Sequence, residues 1–452
     1  MIVNSINNNK LAGKKWMINI SMSFKGLQKA LLVTAISTIV FSYQSPALAA
    51  DSENVIGLPR VEPETQGMSS ARFRLLTQML KQHVDDGRVA GLVAGVARNG
   101  KIVYLESMGW QDVENRLPMR PTSLFQIRSM SKPITAVATM QLVEQGRLKL
   151  SDPVSKYLPK YANMEVYISP DAEDNSATRP ASREMTIEDL LMNTAGLSHR
   201  NGALYRLKGV RRRADNLQQL VDKVAAVPLV ADPGTKWIYS ISITVLGRIV
   251  ELVSGQAFDD YLQDKVFSPL AMSDTGFFVP GNKVDRLAHI YRVPNGGGPI
   301  SREADMSIPI TVNPPLLEGA AGMVSSVPDY LRFLQGMLND GVLEEQRFLK
   351  AKTVSLMTQN HIPEALMPIG FGPRVPMLDR GWGYGLSVVV DEAQSTYGVN
   401  NGEFGWSGSL GTFSWADPET ETVAVLMLQM VPSRSYNLSE KFKALVSQAL
   451  LD

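Results

Sequence analysis

The chain has 452 residues, 44% of them hydrophobic and 20% charged, with a net charge of +1 and no cysteine. That length supplies a large core, and the charge balance favours neither nucleic acid nor an anionic membrane as a partner. Without cysteine there are no disulfides or thiolate sites, and the four histidines (His83, His199, His289 and His361) have no metal-ligand spacing, so no metal or cofactor is expected.

Lys25 and Lys29 precede an apolar run at 30–41 that is short for a bilayer span. Ser45-Pro46-Ala47-Leu48-Ala49-Ala50 then has the Ala-x-Ala form of a signal-peptidase site. Residues 1–50 read as a secretory signal cut after Ala49 or Ala50, with a retained membrane anchor as the alternative. The long stretch before Lys25 leaves Met17 or Met22 as alternative starts. Export to a bacterial periplasm is expected, with no stable membrane association after cleavage.

Ser69-Ser70 cap an amphipathic helix to about residue 86, apolar at Phe73, Leu75, Leu76, Met79 and Leu80. Strands follow at 91–97 and 101–105, joined through Asn99-Gly100, a strong hairpin signal. Ser129-Met130-Ser131-Lys132-Pro133 opens a helix that reaches Gln145 and stops at Gly146. The region 150–300 is rich in helix patterns, at 187–193, 216–227, 242–254 and 258–266. A polar, proline-flanked stretch at 169–182 reads as a surface loop. Lys208 with Arg211-Arg212-Arg213 reads as a solvated basic loop. A capped helix starts at Ser326 with Asp329 in the capping-box position. Strands are expected at 383–390, 402–407, 412–415 and 422–428, then a helix at 439–451. Strands from both chain ends imply one antiparallel sheet.

Ser129 and Lys132 form the only Ser-x-x-Lys in the chain. Residues i and i+3 share a helix face, so the amine reaches the hydroxyl; the helix dipole and burial lower its pKa. A neutral amine beside a serine is a general base beside a nucleophile. Tyr239 follows a turn at 232–235 and either presents its hydroxyl to a cleft or is a core aromatic. A nearby lysine and helix dipole would favour its phenolate and let it share the base's work. The small-residue stretch 404–412 either offers a backbone N–H that joins that of Ser129 in an oxyanion hole or is a bulge at a sheet edge. No Gly-x-Ser-x-Gly elbow or His-Glu-x-x-His motif occurs.

Several ordered motifs together resemble the serine β-lactamase and penicillin-binding-protein superfamily. They are Ser-Met-Ser-Lys-Pro (129–133), Gly-Arg-Leu-Lys-Leu-Ser-Asp-Pro-Val (146–154), Asp-Leu-Leu-Met-Asn-Thr-Ala-Gly-Leu (189–197), Pro-Gly-Thr-Lys-Trp-Ile-Tyr-Ser (233–240), Gly-Ala-Ala-Gly-Met-Val-Ser-Ser (319–326) and Trp-Ser-Gly (406–408). The resemblance spans about 58–451 and is to the class C-like branch, in particular family VIII carboxylesterases and related acyltransferases. It implies an α+β fold: an antiparallel sheet flanked by helices, with an inserted mainly helical domain. The discontinuous sandwich would comprise 51–160 and 300–452, and the helical domain 161–299, with a cleft between them. It also implies Ser129 as nucleophile and Lys132 with Tyr239 as the base pair, with Trp406, Gly408 and Ser409 at the substrate and oxyanion side.

Two departures narrow the substrate. Tyr239-Ser240-Ile241 stands where class C β-lactamases carry Tyr-x-Asn, so the asparagine that would hold an acylamide is absent. Trp406 stands where they carry the lysine of Lys-Thr-Gly, and a neutral indole makes no ion pair. Both favour a small-molecule ester with an apolar or aromatic group near Trp406. The expected function is an exported serine hydrolase cleaving carboxylic esters through an acyl-enzyme on Ser129. β-Lactamase, D-alanyl peptidase or acyltransferase activity on the same scaffold is the alternative, as is a non-catalytic periplasmic peptidoglycan sensor.

Overall fold

The computed structural model describes residues 57–169, 177–294, 298–303, 310–371, 375–395 and 397–451. The expected signal segment at 1–50 lies outside the described residues, as does part of the expected loop at 169–182. Helix α1 (Ser70–Asp85) is capped by the Ser69 side chain, which accepts from the Arg72 N–H. Asn99 and Gly100 both take positive φ, 53° and 75°, as a two-residue type I′ turn requires. The hairpin they close, β1 (Gly91–Arg98) with β2 (Lys101–Asp112), is longer than the apolar pattern implied and leads into β3 (Leu117–Pro118).

From the C-terminal part come β4 (Arg380–Trp382), β5 (Ser387–Val389), β6 (Phe404–Ser407), β7 (Phe413–Asp417) and β8 (Thr422–Leu428). The eight strands form one antiparallel sheet in the order β4-β5-β6-β7-β8-β1-β2-β3. The two chain ends meet where β1 pairs with β8, Leu92 opposite Leu428 and Arg98 opposite Thr422. The single strand expected at 383–390 is instead the hairpin β4–β5. Gly385, at φ 84°, turns the chain there, and a side chain on it would collide with Ala136.

Both sheet faces are covered, so β1 is buried almost throughout. Alternate residues serve different layers. Val93 and Ala97 join the core containing α2 (Ser131–Glu144), while Leu92, Ala94 and Val96 pack with α1 and the C-terminal helix. Helix α2 is buried on every side from Ser131 to Leu142, the pattern of a central helix. The expected helices appear as α3 (Ile187–Met192), α4 (Leu217–Ala225), α5 (Ser242–Ser254) and α6 (Val327–Leu338). Helix α6 lies tight against β1: a Cβ on Gly95 would stand 2.7 Å from Val327 Cγ1 and 2.9 Å from Leu331 Cδ1. Helix α7 (Leu438–Gln448) closes the other face. At 169–182 the chain is not all loop, since Thr178–Pro180 pairs with Glu165–Tyr167.

Candidate active site

Ser129 lies in the 3-10 turn Arg128–Met130 that feeds α2. The turn is held from three sides. The Ile127 N–H donates to Met323 O at 3.0 Å, the Tyr330 hydroxyl donates to Met130 O at 2.8 Å, and the Met323 N–H donates to Ser131 Oγ at 3.2 Å. Arg128, the residue before the serine, takes φ +50°, an uncommon conformation for a long side chain. A sharp, braced turn presents the hydroxyl at the mouth of a buried helix.

Lys132 is 1% exposed. Its Nζ lies 3.3 Å from Ser129 Oγ and donates to Ala320 O at 2.8 Å. The Ala320 segment is itself pinned: Thr135 Oγ1 donates to Gly319 O at 2.8 Å, and the Ala320 N–H donates to Thr244 Oγ1 at 3.3 Å. Burial holds the lysine pKa well below its ordinary value, the Arg200 charge lowers it further, and Glu318 opposes both. Among the described residues Lys132 contacts no carboxylate, so its surroundings favour the neutral amine.

Tyr239 lies just before α5, with the Lys132 Nζ 4.5 Å from its ring centroid. Trp406 Nε1 donates to the Tyr239 hydroxyl at 2.8 Å. Burial pushes the phenol up to about 12, against the opposing effects of hydrogen bonds with Ser129 and Trp406 and the Arg200 charge. Desolvation thus outweighs the nearby positive charges, and the phenol rather than the phenolate is favoured at neutral pH. His199 stacks on Tyr239 with centroids 6.0 Å apart. Burial, then the Arg200 charge, bring it down to about 4, so it too is neutral.

Trp406, on β6, is 8% exposed and meets Trp382 edge-on, centroids 4.6 Å apart. Trp237, Tyr239 and Phe371 complete an aromatic wall. Gly408 is required by contact, since a Cβ there would overlap Ile127 O and Thr412 Oγ1. Its absence lets the end of β6 lie against the backbone leading to Ser129. In the turn that follows, the Gly408 and Gly411 amides donate to Thr412 O at 2.7 Å and Gly408 O at 3.1 Å. The exposed Ser409 contributes its N–H to no backbone carbonyl among the described residues.

The basic run holds a correction. Arg212 and Arg213 are exposed as expected, but Arg211 turns inward and clasps Glu318, with Nη2 2.7 Å from Oε2. Arg200 Nη1 lies 2.9 Å from the same oxygen. Burial would raise Glu318, but the two arginines outweigh it and hold the carboxyl at about 2. Charge count alone does not separate a solvated run from one with an inward member. The signal that finds Arg200 and Glu318 is position: they flank Tyr239's neighbour His199 and the Gly319-Ala320 acceptor. Among the described residues no cluster of His, Cys, Asp or Glu could hold a metal ion.

Residues 76–447 match the family model described as Beta-lactamase. Esterase EstB of Burkholderia gladioli is 31% identical over 382 residues, covering 78% of this chain and 89% of that protein. The structure of EstCE1, described as a hydrolase with promiscuous acyltransferase activity, is similar with TM-score 0.70 and 26% identity, covering 84% of this chain and all of that one. The LovD6 mutant of simvastatin synthase from Aspergillus terreus shares the fold, with TM-score 0.72 at 22% identity and coverage of 84% and 98%. A family match over most of the sequence, on an α+β scaffold shared with these enzymes, makes this chain a member of the β-lactamase family of serine hydrolases.

Proposed function

We propose that this protein is an exported esterase that forms an acyl-enzyme on Ser129. The observation that carries the reading is the buried, carboxylate-free Lys132 amine 3.3 Å from Ser129 Oγ. As Oγ attacks the ester carbonyl, its proton passes to the neutral Nζ. The backbone N–H groups of Ser129 and Ser409 hold the oxyanion, at roughly 3–4 kcal/mol per donor. When the carbon–oxygen bond breaks, the protonated Tyr239 hydroxyl gives its proton to the alkoxide and recovers one from the Lys132 ammonium. One proton has moved from serine to the departing alcohol. Water then attacks the acyl-enzyme by the reverse route, giving the acid and restoring Ser129.

Trp406 favours an ester over a β-lactam, because it puts an indole on Tyr239 where a cation would recognise the β-lactam carboxylate. The aromatic wall suits an apolar acyl or alcohol group. EstCE1 is described as having promiscuous acyltransferase activity, and an alcohol taking water's place in the second half-reaction is the same chemistry. Export rests on the signal pattern at 25–50. Detection of the cut N-terminus near residue 50 in the periplasmic fraction supports it, and a full-length cytoplasmic protein overturns it.

The test is turnover of p-nitrophenyl butyrate and nitrocefin by the wild type and Ser129→Ala, with intact mass measured after brief ester exposure. Ester turnover far above nitrocefin, lost in the variant, with an acyl adduct on the wild type alone, is expected. Preferential nitrocefin hydrolysis overturns the substrate assignment. Ester turnover that survives Ser129→Ala overturns the nucleophile.

A further inference from the structure

Beside the Ser129 turn lies a small, partly open cavity of about 30 Å³ lined by Arg128, Arg211, Arg213, Glu318 and Gly322 among others. Two of the segments that line it also hold the reacting groups. Arg128 precedes Ser129 in the chain, and Ala321-Gly322 follow the Ala320 carbonyl that receives Lys132.

The charge balance of this cavity is unusual. Arg128 is 5% exposed, and its buried Nε has no hydrogen-bond partner among the described residues. A buried donor left unpaired is costly, and more so in a charged group. Burial, then the Arg200 charge, bring its pKa down to about 10, with Glu318 opposing and Arg211 and Arg213 adding to the effect, so it remains a cation at neutral pH. Glu318 is the one carboxylate lining the cavity among the described residues, and Arg200 and Arg211 already occupy it. Three inward guanidiniums thus face one carboxylate, and Arg213 stands exposed at the rim. A fold that retains such a surplus next to its nucleophile leaves room for a second anion. The volume suits one or two waters or a single carboxylate group, not a larger body.

We propose that this cavity is an anion subsite in which Arg128 and Arg213 receive a carboxylate borne by the ester substrate. The inference rests on the esterase reading and deepens it: preferred substrates are half-esters of dicarboxylic acids, or esters with a carboxylate a few bonds from the scissile carbonyl. The guanidinium fork matches that group in two parallel hydrogen bonds. The cation that the indole of Trp406 does not provide is then supplied by Arg128, the residue before Ser129.

The test compares mono-4-nitrophenyl adipate with its methyl ester, which is neutral and otherwise alike. In the wild type kcat/KM should be at least tenfold higher for the anionic ester. That ratio should fall towards unity in Arg128→Gln, and in Arg213→Gln, whose exposed position avoids any folding defect. A wild-type ratio at or below one overturns the proposal, as does a ratio unmoved by either substitution. Calorimetric titration of adipate into Ser129→Ala reads the subsite without turnover. Binding that Arg213→Gln weakens supports the subsite even if neither ester is cleaved, in which case the esterase reading fails alone. No binding, with no preference between the esters, overturns the subsite alone. Adipate that alters methyl-ester turnover without any preference for the anionic ester marks a free carboxylate effector and overturns the assignment to substrate.

Discussion

Replacing Trp406 by Phe keeps a ring beside Trp382 but removes the N–H that donates to the Tyr239 hydroxyl at 2.8 Å. In the proposed mechanism that N–H matters most while Tyr239 surrenders its proton, because it favours negative charge on the phenol oxygen. A hydrogen bond of this kind contributes about 0.5–1.5 kcal/mol net. At about 1.36 kcal/mol per decade of rate, the expected loss in kcat/KM on p-nitrophenyl butyrate is roughly two- to thirteen-fold. The edge-on packing on Trp382, at 4.6 Å and 90°, bears on stability, so folded fraction is checked by near-ultraviolet circular dichroism at the assay temperature. The deciding measurement is a double-mutant cycle. In a Tyr239→Phe background, whose residual rate must be measurable above solvent hydrolysis, Trp406→Phe should cost nothing more. Equal losses in both backgrounds would refute a role through Tyr239 and leave Trp406 a packing residue.

The acid limb of kcat/KM should report Lys132, with activity rising as pH climbs through its lowered pKa. Glu318→Gln removes the group that favours the ammonium form, so a pH–rate profile should show that limb displaced to lower pH. Asp329, 1% exposed at the start of α6, has its carboxyl raised to about 7 by burial and then by Asp274. Its folded pKa lies above the unfolded value of about 3.9, so its contribution to stability is complete below about pH 4 and is lost as pH rises through 7. Asp329→Asn, which keeps an acceptor for Thr275 and the Asp274 N–H, should make Tm less dependent on pH across that window in calorimetric scans. Gly408→Ala should push β6 off Ile127 and Thr412. A displacement near 1 Å corresponds to about 10²-fold in kcat, and a folded variant with unchanged kcat would show that the Gly408 contact does not set the oxyanion geometry.

The fold was legible where local chemistry and tertiary packing agree. Asn99-Gly100 demands positive φ at two consecutive positions, and a hairpin is the structure that supplies it. Helix α2 announced both its ends, through Lys132-Pro133 and Gly146, because caps are local. The strand expected at 383–390 fails for a complementary reason. Its apolar run is consistent with one strand, and the break at Gly385 comes from Ala136 on a helix far away in sequence, which no periodicity encodes.

The site divides along the same line. Ser129 and Lys132 are three residues apart, so their meeting at 3.3 Å is a property of a single helical turn. The protonation states were harder, because they depend on what surrounds the pair. For Lys132 the direction is readable from the motif, since burial and positive charge both lower its pKa. For Tyr239 a neighbouring cation and burial act in opposite directions on the phenol, and only the packed structure says which is larger. Arg211 makes the point most sharply. It differs from Arg212 and Arg213 in nothing but direction, and that direction is fixed by Glu318, 107 residues further along the chain. Ion pairs of that separation leave no spacing to read. Yet they set the potential at the nucleophile: Arg200 bears on Lys132, Tyr239, His199 and Arg128 alike. The residues that perform the chemistry are therefore readable from one short motif, while those that poise its proton affinities come from chain segments brought together by the fold.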